Sequence, residues 1–199
     1  MNEKILNYFN FKSSSYNTNS SRGFWKIVRK WEAESVHSLL DKSSHLECLD
    51  LGCGSGFYSN KLKEWGANNI TCVDISEQML NEINLKDAIK INANIENFLI
   101  DKKFDTVIVA GALEFVKNPL LVIQNVEKML KPKGVIVLLL PRDSFLGKIY
   151  QKFHKKNGFN INLFSKIFLN KIEKETSLKI KKSIKTKPFS ICVALSFDK

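Results

Sequence analysis

The chain has 199 residues, 44% hydrophobic and 26% charged, with a formal net charge of +11. That length and balance suit one globular unit with its own core, and no run approaches the roughly 18 apolar residues of a membrane-crossing helix. The opening "MNEKILNYFNFKSSS" lacks the apolar core and small-residue cleavage site of a secretory signal, and Cys48, Cys53, Cys72 and Cys192 show no metal-ligand spacing. Buried free thiols, no metal site and a cytoplasmic location are the expectation.

Residues 1–45 read as helices interrupted by the loop-like "SSSYNTNSS" at 13–21. "FWKIVRKWEAESVHSLL" brings Phe24, Ile27, Val28, Trp31, Val36, Leu39 and Leu40 close to helical spacing, and Trp25 and Trp31 are expected to pack this segment onto the sheet. From residue 46 strands and helices alternate. Strands are predicted over 46–52, 70–75, 88–94, 104–111 and 135–141, and helices over 59–65, 76–83 and 118–130. Ser76 is placed to cap its helix, Pro119 stands in a first turn, and "KPKG" at 131–134 separates the last helix from its strand. The near-continuous apolar strands predict a mostly parallel sheet covered on both faces. After it, "INLFSKIFLNKIEKE" reads as a helix, and "LKIKKSIKT" and "FSICVALSF" as two antiparallel strands.

The charge is concentrated in that tail. Residues 148–187 hold twelve lysines against Glu173 and Glu175. Such a patch can attract nucleic acid, anionic lipid or an acidic substrate. It can equally be a set of solvated lysines in a chain that uses lysine freely.

The stretch "LDLGCGSGFYSNKL" joins the first strand to its helix with Gly52, Gly54 and Gly56 at alternate positions. A glycine-rich strand-to-helix turn sets backbone N–H groups and a helix N-terminus beside a ligand. The spacing is GxGxG rather than the dinucleotide GxGxxG, with Phe57 where that fingerprint has its third glycine. Asp50, two residues before the loop, repels a pyrophosphate but suits an ammonium group. Asp74, at the end of the second strand, can accept hydrogen bonds from both hydroxyls of a ribose. The combination describes a ribosyl ligand with a cationic, amino-acid-like end, and S-adenosylmethionine fits it.

On these residues the chain resembles the class I S-adenosylmethionine-dependent methyltransferases, small-molecule branch. "LDLGCGSG" and "VDIS" are similar to the family's first two motifs. "NANIENF" lies where the family often has an Asp toward the adenine amino group; here Asn94 (or Asn92) stands in its place. "FDTVIVAGALEFVKNP" and "MLKPKGVIVLLLP" resemble the fourth-strand motif and the helix, turn and strand after it, with Lys133 where a second glycine is common. The resemblance implies a Rossmann-like fold with antiparallel C-terminal edge strands and an N-terminal helical cap. It also implies one methyltransferase domain over 1–199, divided into a cap (1–45), a cofactor-binding core (46–141) and a substrate-cap and C-terminal segment (142–199).

The implied cofactor residues are Tyr16, Asp50, Gly52, Cys53, Gly54, Asp74, Ile75, Asn94, Ile95 and Ala110. Gly52 to Gly54 would offer backbone contacts to the methionine part, Asp50 would orient its ammonium, and Tyr16 would approach the same end. Asp74 would hold the ribose, Ile75, Asn94 and Ile95 would frame the adenine, and Ala110 would sit by the sulfonium.

Methyl transfer from a sulfonium is an in-line displacement that rests on alignment and desolvation, so catalytic residues need not be conspicuous. Glu114 can orient or deprotonate an acceptor, or be a loop acid; Phe115 stands where relatives often carry His. His154 can act as a base near neutral pH, or simply be solvated among lysines. "ALEF" in place of (Asp/Asn)-Pro-Pro-(Tyr/Phe), the lack of a Pro-Cys pair, and the lack of a Lys-Asp-Lys-Glu set point away from several nucleic-acid-modifying groups. The expected acceptor is therefore an O or N atom of a small molecule. An RNA methyltransferase using the lysine-rich end and a non-catalytic cofactor-binding module are the alternatives.

Overall fold

In the computed structural model, which describes Asn10, residues 23–40 and residues 46–198, the apolar runs become central strands. β1 (Glu47–Leu51), β4 (Phe104–Ala110), β5 (Leu130–Pro141) and β7 (Ser190–Phe197) point successive side chains to opposite faces. Leu49, Val107, Val109, Ile136, Leu138 and Val193 meet helices α4 (Pro119–Met129) and α6 (Lys166–Glu175) on one face. Cys48, Ile108, Val137, Leu139 and Cys192 lie on the other. That face is covered by α1 (Gly23–His37), α2 (Phe57–Glu64) and α3 (Glu77–Asn81) through residues such as Val36, Leu62 and Leu80. Apolar residues at consecutive strand positions are thus the requirement of two covered faces. Leu138 is wholly buried, and truncating such a leucine to alanine costs about 2–5 kcal/mol.

With β2 (Asn69–Asp74), β3 (Ile89–Asn92) and β6 (Leu178–Thr186), the sheet order is β3-β2-β1-β4-β5-β7-β6. The five strands from β3 to β5 are parallel, and β7 runs antiparallel to both β5 and β6. The chain moves outward from β1 to β3, then returns to β4 on the other side of β1. The loops leaving β1 and β4 therefore diverge and open a crevice at the carboxyl ends of the strands. The antiparallel C-terminal pair is present, but β7, the last strand, lies inside and β6 forms the edge. Their side chains explain the placement. β7 is largely buried, whereas β6 exposes Lys181, Lys182 and Lys185, charges that protect an edge from pairing with another chain.

The predicted strands and helices recur with ends shifted by a residue or a few. Ser76 caps α3 by accepting from the Met79 N–H at 3.2 Å, and Pro119 opens α4. Four expectations change. "KPKG" is not a free turn: β5 begins at Leu130, paired with Phe104, and residues 131–134 bulge before pairing resumes at Val135. A Cβ on Gly134 would lie 2.8 Å from Leu130 Cδ1 and 3.0 Å from Phe104 O, so a side chain there requires Leu130 to shift. The helix read from Ile161 starts only at Lys166, because Phe164 is held in a parallel bridge to Arg142. An unpredicted helix, α5, spans Phe145–Lys156, capped by Ser144. Finally, Trp25 and Trp31 are 44% and 37% exposed, because α1 turns Val28, Ala33 and Val36 inward instead.

Candidate cofactor and acceptor site

The loop after β1 is held from both sides. Gly52 and Cys53 donate their N–H groups to Val73 O at 2.7 and 3.0 Å, which folds the turn back onto β2. Gly52 has φ +77°, and a Cβ there would stand 2.4 Å from Ala112 Cβ in the turn after β4. No side chain fits at this position. Gly54 has φ +52° with nothing within 4 Å of a Cβ built on it, so its open face borders the crevice. Its N–H donates to Asp74 Oδ2 at 2.8 Å, and Ser76 N–H donates to Asp74 Oδ1 at 2.9 Å.

Burial pushes the Asp74 carboxyl upward, opposed by the backbone N–H groups of Ser76, Gly54 and Ile75; three donors on a carboxylate's roughly four lone-pair sites leave capacity for a further one. Asp50 shares the sheet face of Cys48, under α2, where Ser59 Oγ donates to its Oδ2 at 2.6 Å. Burial raises its pKa to about 7; the Ser59 hydrogen bond opposes this rise and the Asp74 charge adds to it.

Ile75 is half-buried, and its carbonyl accepts from Asn92 Nδ2 at 2.8 Å. The same amide reaches Asp74 O at 3.1 Å. Asn92 therefore braces the loop, and Asn94, half-buried, uses Oδ1 to accept from Glu96 N–H at 3.0 Å. Ile95 is 2% exposed and sits in the core beneath Gly52. Ala110 closes β4, opposite Leu139. Tyr16 lies outside the described residues. Asn10 is described, and it reaches the turn after β2: Ser76 Oγ donates to Asn10 Oδ1 at 2.6 Å.

On the acceptor side, a tight turn at Leu113–Phe115 follows β4. Glu114 is not a surface acid; it is 3% exposed and, among the described residues, its Oε2 has no hydrogen-bond partner. Burial raises its pKa to about 8, with the charge of Glu32 adding to the rise. His154 is likewise buried rather than solvated. It lies on α5 with its ring 5.5 Å from that of Phe115, the residue after Glu114. Asn162 fastens the segment after α5 to this turn, its N–H donating to Glu114 O and its Nδ2 to Val116 O, both at 2.8 Å.

Three contributors had no signal in the sequence. Glu96 accepts from Lys117 and Asn118 N–H groups at 2.7 and 3.2 Å and so fixes the approach to α4. Glu32 of α1 accepts from Ser190 Oγ at 2.6 Å, and Asn10 is the third. The contacts of Glu32 and Asn10 span 158 and 66 residues, far beyond any motif window. Among the described residues no group of three or more His, Cys, Asp or Glu is arranged to hold a metal ion.

This sheet order, with a glycine cradle and a carboxylate at the end of β2 beside the β1/β4 crevice, defines a class I methyltransferase fold. Residues 49–138 match the family model described as a methyltransferase domain. An uncharacterized protein of Methanocaldococcus jannaschii is 34% identical over 137 residues, 67% of this chain and 62% of that protein. A ubiquinone biosynthesis O-methyltransferase of Rickettsia bellii is 32% identical over 111 residues, 53% of this chain and 46% of that protein. The chain thus spans about half the length of these curated relatives. Magnesium protoporphyrin IX methyltransferase from Synechocystis with bound S-adenosylhomocysteine superposes with a TM-score of 0.76, at 18% identity and 98% coverage of each chain. Residues 49–138 thus form a methyltransferase domain, carried on the fold of the class I, S-adenosylmethionine-dependent enzymes.

Proposed function

We propose that this chain transfers a methyl group from S-adenosylmethionine to an oxygen or nitrogen of a small-molecule acceptor, releasing S-adenosylhomocysteine. The observation that carries the acceptor side is Glu114, a buried carboxyl with an unpartnered oxygen in the turn whose Ala112 touches the glycine loop. The name of the rickettsial relative, an O-methyltransferase, supports the same acceptor class.

The cradle fits the donor. Gly54 leaves an open face, Asp74 keeps acceptor capacity for ribose hydroxyls, and Asp50 adds negative character beneath the loop for an ammonium group. Ile75 and Asn94 border the adenine position, with Ile95 beneath them, and Ala110 ends β4 beside the reacting centre. Bound there, S-adenosylmethionine supplies an electrophilic methyl group with a neutral leaving group. Glu114 orients the acceptor while protonated and takes its proton once ionised, above pH about 8. His154, on the inner side of α5, lines the same turn and is a second candidate for that proton. The four buried, free cysteines suit a reducing, cytoplasmic setting, and no described helix is long and apolar enough to cross a membrane.

The test is calorimetric titration with S-adenosylmethionine and S-adenosylhomocysteine, with NAD as control, followed by methyl-transfer assays on phenolic and amine acceptors. Micromolar-range binding of the two sulfur ligands, absent for NAD, with turnover on one acceptor class is expected. No binding by a folded protein would overturn the reading. Binding with no turnover on any acceptor would reduce the chain to a cofactor-binding module.

A further inference from the structure

Helix α5 divides its surface into three sectors. Gly147 and His154 face inward, with Tyr150 stacked on Phe189 at 4.5 Å. At about 100° per residue, Phe145, Leu146, Ile149 and Phe153 share an arc of about 100°. They are not buried: their exposures are 80%, 46%, 50% and 55%. The adjoining arc, about 60° wide, holds Lys148, Lys152 and Lys155, and Lys156 falls at the edge of the apolar arc; all four are exposed. Lys148 has Asp143 at 3.8 Å as a loose partner. The parallel bridge between Arg142 and Phe164 starts α5 and α6 from adjoining positions, and Ile167, in the first turn of α6, is 80% exposed.

Solvated helices do not normally set four large apolar side chains in one stripe beside a row of lysines. An apolar stripe edged by lysines, on a helix whose remaining side is seated on the protein, has the geometry of a helix lying in a membrane interface. The charge selects the occupant. A lysine row that flanks the apolar stripe complements the anionic headgroups that border an acyl layer. A protein partner or a second copy would cover the apolar stripe but gives the lysine row no role, and RNA would use the lysines but leave the phenylalanines in water.

We propose that α5 is a peripheral docking helix for an anionic lipid bilayer, with Phe145, Ile149 and Phe153 entering the headgroup layer and the lysines engaging its phosphates. Since the inner side of α5 meets Phe115, docking lays the bilayer over the acceptor side of the crevice. That last consequence rests on the methyl-transfer reading; the docking itself does not.

Co-sedimentation of the full chain with vesicles tests it, comparing phosphatidylcholine alone with phosphatidylcholine mixed with phosphatidylglycerol, at low and high salt. The wild type should sediment with the anionic vesicles, less so at high salt, and not with phosphatidylcholine. The combined change Phe145→Ser, Ile149→Ser, Phe153→Ser, and separately Lys152→Glu with Lys156→Glu, should each weaken partitioning by about tenfold or more. Thermal unfolding reports whether each variant is folded, without reference to cofactor binding. Should the triple variant fail to fold, Phe145→Ser alone, at a nearly fully exposed position, decides with a smaller but measurable loss. The proposal is overturned by no sedimentation with anionic vesicles, or by equal sedimentation of a folded apolar variant. It is equally overturned by a wild-type dimer that the apolar variant dissociates, or by RNA binding that depends on the lysines while lipid binding is absent.

Discussion

Asp74 accepts a backbone N–H on each carboxylate oxygen, whereas Glu114, at 3% exposure, leaves Oε2 with no partner among the described residues. The contrast extends to the regions around them. The region from β1 to β3 is held by main-chain groups, the Gly52 and Cys53 amides on Val73 O and the Gly54 amide on Asp74, braced by the Asn92 side-chain amide on two carbonyls. The region after β4 instead gathers side chains from distant elements, with Glu32 from α1, Glu114 after β4 and His154 from α5. A ligand that never changes can be held by main-chain groups fixed by the strand order. A ligand that differs between relatives needs positions that can be substituted without disturbing the sheet.

The strongest way to break this contrast is at the contact between the two sides. Gly52→Ala places a Cβ 2.4 Å from Ala112 at a φ of +77°. It should cost about 3 kcal/mol or more in stability and remove S-adenosylhomocysteine binding, as read by thermal unfolding and calorimetry.

Glu114→Gln should come next. We expect turnover to fall about a hundredfold, ~2.7 kcal/mol in barrier, with cofactor affinity unchanged. The wild-type rate should climb with pH through about 8, and the variant's should not. Stability moves the other way. The folded Glu114 carboxyl sits near 8 against an ordinary 4.5, so the native state holds a proton that the unfolded chain releases. Stability from this group is present in full below about 4.5 and is lost as pH rises toward 8. The melting temperature of the wild type should therefore drop relative to Glu114→Gln between pH 6 and pH 9, and parallel curves would show that the carboxyl does not carry this shift.

Asp74→Ala should weaken S-adenosylhomocysteine by ~2 kcal/mol, roughly thirtyfold, because it removes the acceptor and frees the Gly54 and Ser76 amides together. Asp74→Asn should fall between the two. The smallest effect belongs to Ser59→Ala. It strips the 2.6 Å hydrogen bond from Asp50, should raise that carboxyl above about 7, and should cost ~1 kcal/mol. The loss should be greater at pH 8, where Asp50 is ionised, than at pH 5.

What could be read from the sequence divides along the same line. The cofactor side was legible because its determinants are local. Glycines sit where positive φ is required, an acid ends β2, and apolar runs mark strands with two covered faces. The acceptor side was legible only in part. Glu114 and His154 stood out by residue type, but residue type alone favours a loop acid and a solvated histidine, and both side chains are buried. Helix α5 carries helical spacing at Phe145, Leu146, Ile149 and Phe153 and a Ser144 cap, but that pattern does not say that its apolar stripe faces outward. Trp25 and Trp31 misled for the same reason: an apolar stripe states which side of a helix is apolar, not which side is buried. Glu32, Glu96 and Asn10 take their partners from the tertiary fold, and no spacing encodes those.

The Gly52–Ala112 contact has an evolutionary side. Gly52 admits no substitution while Ala112 keeps its methyl, and even a glycine at 112 would leave position 52 in the left-handed region. Shrinking position 112 thus does not free position 52 for other residues. A lineage exploring new acceptors through the turn after β4 inherits a fixed point there, around which all other substitutions must be arranged.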